Sequence, residues 1–290
     1  MQRTRELTSG PGLGARADTS APRRAVSGAA PRRLAGLGQA PRFLRGLILP
    51  IGLLILWQYL VDQEVYNRSQ LPAPLDVWRG AEQLWNADLL LGHIQISVER
   101  VAWGFGWGAL VALALALAVG LSPLIDDLVS PTIQAVRAIP SLAWVPLLLL
   151  WLGIDERPKI VLIAIGAFFP IYANLVSGIR QIDRRLIEAA QAYGLRGPKL
   201  AWQVLLPAAL PSLFTGLRLG LAQGWLFLVA AELIASAQGL GFLLIDGGNS
   251  GRSDIIFLAI ILLALLGKTT DFLLSLAERR LLHWSDAYRG

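Results

Sequence analysis

The chain is predicted to be an all-α integral membrane protein with about six spans, and three observations carry that prediction. Of its 290 residues, 54% are hydrophobic and 16% charged, with a mean hydropathy of +0.54; soluble domains carry about 25% charge. Six apolar stretches reach or approach the roughly 20 residues that a hydrocarbon core about 30 Å thick demands. Cysteine is absent and histidine occurs only as His93 and His283, so there is no disulfide framework, zinc-thiolate site or cysteine nucleophile. These counts exclude a soluble enzyme, a disordered chain and a secreted disulfide scaffold.

The net charge of +6 is local. Residues 1–42 hold eight arginines, including the pairs Arg23-Arg24 and Arg32-Arg33, against Glu6 and Asp18; the rest balances at 18 basic and 18 acidic residues. A basic patch on a soluble fold would point to nucleic acid; here it points to membrane lipid instead. The stretch is rich in Gly, Ala, Pro and Ser without apolar periodicity, so it reads as a disordered cytoplasmic tail. The apolar run after Arg45 continues into Trp57-Gln58-Tyr59 without a small-residue cleavage site, which makes it a retained first helix rather than a signal peptide. Residues 43–290 then form one transmembrane domain.

The expected spans are Gly46–Val61, Val101–Leu121, Ser141–Gly153 (extending back through Ala135–Pro140), Ile160–Ile179, Leu213–Ile234 and Ile255–Leu276. The third is short and interrupted by Pro140 and Pro146. With the N-terminus inside, the inner loops Ser122–Arg137 and Arg180–Leu206 and the C-terminus carry nine Lys or Arg. The outer segments Asp62–Arg100, Ile154–Lys159 and Ala235–Asp254 carry six. Counting the tail sharpens the bias, so both termini are expected in the cytoplasm. The tryptophans near span ends (Trp57, Trp103, Trp107, Trp144, Trp151) fit interfacial anchoring. Gly104 and Gly108 form a small-xxx-small pair suited to close helix packing, within or between protomers.

Ionisable groups in spans are costly and default to functional candidates. Arg218 and Glu232 lie near opposite ends of span five, where snorkelling or structural pairing competes with a substrate role. Lys268 and Asp271 are three residues apart on one face and can neutralise each other. Arg137 precedes span three. Gly267-Lys268-Thr269-Thr270 has the tail of a phosphate loop, but position 262 is Leu and the stretch is apolar helix, so nucleotide binding is rejected. No catalytic constellation and no metal cage is present in the sequence.

The most informative segment is the inner loop 183–207. Asp183 is expected to cap a helix running to about Tyr193, with Leu186, Ala189, Ala190 and Tyr193 on one face. Gly194 stops it at a position suited to positive φ. Gly197-Pro198 starts a second short helix, which Pro207 and Pro211 end. The product is a helix–turn–helix elbow with a small-residue surface at Ala189-Ala190. On physical grounds alone it is either a docking elbow or an ordinary interfacial loop.

Glu188-Ala189-Ala190, Gly194, Val204, Leu206 and Pro207 match the spacing Glu-Ala-Ala, three residues, Gly, nine residues, Ile, one residue, Leu-Pro. Val204 replaces Ile. The segment resembles the EAA loop of binding-protein-dependent ABC importers, and the resemblance covers roughly residues 43–290. Arg137-Ala-Ile-Pro140-Ser141 and Ala231-Glu232 with Gly239-Leu-Gly241 resemble the nitrate/sulfonate/taurine group of permeases. Glu278-Arg279-Arg280 through Trp284, with Gly267-Lys268, is most similar to aliphatic sulfonate permeases.

The resemblance implies a MetI-like permease subunit in the bacterial inner membrane, acting as a homodimer with two ABC ATPase subunits that bind the ATP. A periplasmic or lipid-anchored binding protein would deliver an aliphatic sulfonate, with nitrate or taurine as the alternative cargo. Glu188, Ala189, Ala190, Gly194, Val204, Leu206 and Pro207 would couple to the ATPase. Arg137, Arg218, Glu232, Lys268 and Asp271 would serve the pathway or the scaffold. A secondary transporter would show inverted repeats with broken helices, which this sequence lacks.

Overall fold

The structure, a computed structural model, describes residues 42–283. The tail expected over 1–42 therefore lies outside the described residues except for Arg42. The chain divides into two units, one ending at Pro50 and one starting at Ile51. Of the first, the structure describes the opening turns of helix α1 (Arg42–Asp62).

Among the described residues the regular structure is all helix, with no strand. After α1 come α2 (Pro74–Asn86), α3 (Leu90–Leu121), α4 (Pro123–Arg137), α5 (Val145–Leu152), α6 (Glu156–Arg180), α7 (Arg184–Ala192), α8 (Gly197–Leu200), α9 (Leu206–Ala235), α10 (Leu240–Asn249) and α11 (Ser253–Leu281). Four segments are long and apolar enough to cross a membrane: α3, α6, the run from α8 through α9, and α11. A fifth candidate is the pair α4 and Ser141–Leu152, bent by 89°. The apolar part of α1, Ile48–Asp62, is shorter.

Several sequence expectations change. Ser122–Arg137 is not a loop but α4, capped by the Ser122 hydroxyl, which accepts from the Ile125 N–H. The bend after it falls at Pro140, which has no N–H to offer and disfavours helix at Ile139 before it. Pro146 sits in the first turn of α5, where the missing donor costs nothing. The outer segments are also structured: Asp62–Arg100 contains α2 and the start of α3, and Ala235–Asp254 contains α10.

Pro207 and Pro211 do not end the second elbow helix, because both lie inside α9. Between α8 and α9 the backbone widens into a π-helical turn over Ala201–Leu205, where the Leu206 N–H reaches back five residues to the Ala201 carbonyl. The wider turn gives the Pro207 ring room without a break. The elbow therefore runs straight into a spanning helix.

In the second unit α6 packs between α3 and α9. Small residues set the approach: a side chain at Gly108 would lie 2.6 Å from the Ala164 carbonyl oxygen, and one at Gly220 would lie 2.9 Å from that of Ala167. The Gly104/Gly108 pair thus packs α3 on α6 within the protomer. The core at one end of these helices (Ile171, Leu175 and Ile179 of α6, Ala116 of α3) continues into Ala190, Leu200, Ala201 and Leu205. Elbow and spans share one close-packed interior.

Candidate functional site

The elbow is built by local capping. The Asp183 carboxylate accepts from the Arg185 N–H at 2.9 Å and starts α7. At the other end the Leu195 N–H donates to the Ala190 carbonyl and the Gly194 N–H to that of Gln191, with Gly194 at φ +84°. That paired pattern is the Schellman stop, which calls for a left-handed residue. Gly197, also at positive φ (+52°), turns the chain into α8.

The small-residue surface is split. Ala190 is 8% exposed and packs inward beside Ile187, whereas Ala189 faces out. Successive helical residues point about 100° apart, so the burial boundary runs between the two alanines. What remains outside is apolar: Leu186 is 48% exposed, Tyr193 89% and Trp202 60%. Glu188 is exposed and accepts from the Arg184 guanidinium at 2.9 Å. Val204, Leu206 and Pro207 are half-buried at the root of α9. Leu200, Ala201 and Leu205, outside the recognised motif, are buried there.

At the opposite end of the helices lies a buried ionic cluster. Glu232 of α9 is 1% exposed. Its Oε1 accepts from the Ser97 hydroxyl at 2.8 Å and from Arg100 Nη1 at 2.7 Å, and its Oε2 accepts from the Gly241 N–H at 2.7 Å. The last bond places the carboxylate on the N-terminus of α10, whose exposed amides and dipole favour an anion. The turn at Gly239 (φ +121°) is required, since any side chain there would run into that carboxylate. Arg100 spends its other donors on the Gln238 carbonyl (2.8 Å) and on both oxygens of Glu156 (2.6 and 2.7 Å). Lys159 completes the set by donating to Glu156 at 2.8 Å. His93 Nδ1 accepts from the Gly239 N–H at 3.0 Å. The cluster ties α3, α6, α9 and α10 together.

Arg100, Glu156, Ser97 and His93 had no role in the sequence reading, which counted Arg100 and Lys159 among the outer-loop cations. A signal was present: His93, Ser97, Arg100, Gly104 and Gly108 recur at helical spacing, so polar groups extend the glycine stripe along one face.

Arg218 of α9 donates through Nε to Asp271 Oδ1 of α11 at 3.0 Å and through Nη2 to Oδ2 at 3.3 Å, with Glu278 at 3.6 Å. Lys268 reaches Asp271 at 3.8 Å. The expected Lys268–Asp271 pair is thus secondary to a cross-helix pair with Arg218. Arg137, at the end of α4, lines a cavity of about 330 Å³ against α6 with Gln134, Ser130, Phe169 and Tyr172. Among the described residues, no group of three or more His, Asp or Glu could hold a metal ion.

Spanning helices, an apolar elbow rooted in their core and a buried ionic cluster at the other end define an integral membrane component. The chain belongs to the family described as binding-protein-dependent transport system inner membrane component, which matches residues 105–283. It is 39% identical to the aliphatic sulfonates transport permease protein SsuC of Bacillus subtilis, over 86% of this chain and 90% of that one. It is 42% identical to SsuC of Escherichia coli, over 83% and 91%. A solved structure of the MetNI methionine ABC transporter in an inward-facing conformation shares the fold, with TM-score 0.59, 21% identity and 69% and 98% of the chains covered.

Proposed function

We propose that this chain is the permease subunit of an ATP-driven importer for small aliphatic sulfonates in a bacterial inner membrane, with both termini in the cytoplasm. Two copies assemble with two ABC ATPase subunits. A periplasmic or lipid-anchored binding protein brings the cargo. ATP is held by the partner and no bond of the cargo is broken here, so the permease has no catalytic residue, cofactor or metal of its own.

The observation that carries this reading is the elbow. Its inner side (Ile187, Ala190, Leu200, Leu205) belongs to the core shared by α3 and α6, while Leu186, Tyr193 and Trp202 lie open. Burying such aromatic anchors in a partner's cleft is a strong source of docking energy. Glu188, Ala189 and Gly194 shape the docked face; Ala190, Val204, Leu206 and Pro207 root it. When ATP closes the ATPase dimer, the elbows are drawn together. The unbroken run from α8 into α9 and the dense core pass that movement to the spans, because close-packed interiors transmit strain. Hydrolysis resets them, giving alternating access. The high identity to SsuC supports the choice of sulfonate as cargo.

The test is uptake into proteoliposomes holding the chain with its ATPase subunit and binding protein. Labelled ethanesulfonate should accumulate only with ATP inside and loaded binding protein outside. Uptake by the chain alone, or driven by an ion gradient, would overturn the proposal.

A further inference from the structure

Helix α2 has three sides. Val77, Gly80 and Leu84 share one, Trp78 and Trp85 a second, and Arg79, Gln83 and Asn86 a third, each roughly a third of a turn from the next at about 100° per residue. The first side is packed. Val77 and Gly80 are buried and Leu84 is half-buried, in one cluster with Ile255, Leu258 and Ala259 of α11. A side chain at Gly80 would lie 2.8 Å from the Asp254 carboxylate, and Gln83 accepts from the Arg252 guanidinium at 2.7 Å. These contacts fall at the start of α11. The second side is bare: Trp78 is 69% exposed and Trp85 55%. The third is exposed and polar, with Glu82 at its border with the tryptophans.

The level of α2 in the membrane follows from α11. That helix has 29 residues, with Asp254 in its first turn and Arg279 and Arg280 in its last. At 1.5 Å per residue it is about 43 Å long. A bilayer with its headgroup layers is about 40–45 Å thick. The first turn of α11 therefore lies in a headgroup layer, at the end away from the elbow, and α2 lies there with it.

A helix at that level meets protein, water and hydrocarbon. Protein is met on the first side, through α11. The polar side faces water, because turned the other way it would carry Arg79, Gln83 and Asn86 into hydrocarbon unpaired. The tryptophan side is left for the membrane. Indole suits that depth: its ring enters the acyl boundary while its N–H stays in reach of headgroups and water. A soluble protein docking from outside the bilayer would meet the polar side instead.

We propose that α2 is an interfacial helix whose partner is the phospholipid surface, with Trp78 and Trp85 seated where headgroups meet acyl chains. It fastens the first turns of α11 at that depth, at the same end of the molecule as the buried ionic cluster. Nothing in this depends on the cargo.

The absence of cysteine permits single nitroxide labels on Trp78→Cys and Trp85→Cys, with Arg79→Cys and Asn86→Cys as controls. The full chain is placed in nanodiscs of phosphatidylethanolamine and phosphatidylglycerol. Electron paramagnetic resonance then compares relaxation by oxygen, which concentrates among acyl chains, with relaxation by a water-soluble nickel chelate. The oxygen-to-nickel ratio should be several-fold higher at 78 and 85 than at 79 and 86. A second measurement keeps the native rings: phospholipids brominated near the headgroup should quench less of the tryptophan fluorescence in Trp78→Phe/Trp85→Phe than in wild type. Labels at 78 and 85 as open to nickel as the controls would put the strip in water. Labels shielded from both reagents would put it under protein, a second copy included. Either result, or bromolipid quenching unchanged in the double variant, would overturn the proposal.

Discussion

Replacing Arg100 with Met removes every guanidinium contact of the buried cluster while keeping an unbranched side chain. The loss is specific. Glu232, 1% exposed, keeps the Ser97 hydroxyl and the Gly241 N–H but loses its counter-ion at 2.7 Å. Glu156 loses two contacts but stays half-exposed beside Lys159, and water can compensate it. The cost therefore falls on Glu232. Breaking a buried pair by removing one partner costs about 3–5 kcal/mol, because a buried charge is left unpaired. For a chain of this size that is on the order of 10 °C in unfolding midpoint. Converting Glu232 to Gln in the same chain removes the stranded charge; its one amide oxygen can still accept from the Gly241 N–H while its NH2 donates to the Ser97 oxygen. The double variant should therefore recover at least half of the loss, a coupling of about 2 kcal/mol in a double-mutant cycle. Thermal unfolding in detergent, followed by tryptophan fluorescence, measures all four proteins. An Arg100→Met midpoint within 2 °C of wild type (about the shift for a loss near 0.5–1 kcal/mol), or a double variant less stable than the summed singles, would refute the cluster as the fastening of α3, α6, α9 and α10.

Three further outcomes are expected. Gly108→Val puts a branched side chain against the Ala164 carbonyl, 2.6 Å from its first carbon, and should cost about 1–3 kcal/mol through overpacking, seen as a lower unfolding midpoint and reduced yield. Gly194→Asp keeps open space around the new carbon but forces a non-glycine residue to φ +84°, at about 1–2 kcal/mol, and adds a charge to the docking face; ATP-dependent uptake should collapse while the permease still unfolds cooperatively. Tyr193→Ala deletes an exposed ring, so stability should stay within about 0.5 kcal/mol of wild type, whereas affinity for the ATPase subunit, measured by biolayer interferometry, should fall about tenfold or more.

The elbow was legible in the sequence because its signals are local. Asp183 as a cap, Gly194 at positive φ and Pro198 in a first turn each act within a few residues, and each stands where expected. Four of the six expected spans were legible for the same reason; the third stands only as part of a bent pair with α4, with Pro140 at the bend, and the apolar part of the first is shorter than a span. The rest depends on packing at a distance. Whether Ala190 faces the core or a partner is decided by Ile179, Leu200 and Leu205, which no local pattern contains. The pairing of Glu232 with Arg100 joins residues 132 positions apart, and a charge adjoining an apolar run is ambiguous between a loop cation and a buried one until the partner helix is placed. Pro207 is the instructive miss. Its breaking tendency is real, but a π-turn one step earlier absorbs it, and that turn has no distinctive sequence mark.

The most direct measurement takes advantage of the absence of cysteine: Tyr193→Cys creates a unique thiol at the tip of the elbow. In the assembled transporter, a thiol-specific crosslinker at this position should capture the ATPase subunit, and the yield should change when ATP is bound without hydrolysis. A thiol that reacts only with reagents added to the periplasmic side, or that never captures the ATPase in an actively transporting complex, would contradict the elbow as the lever of transport.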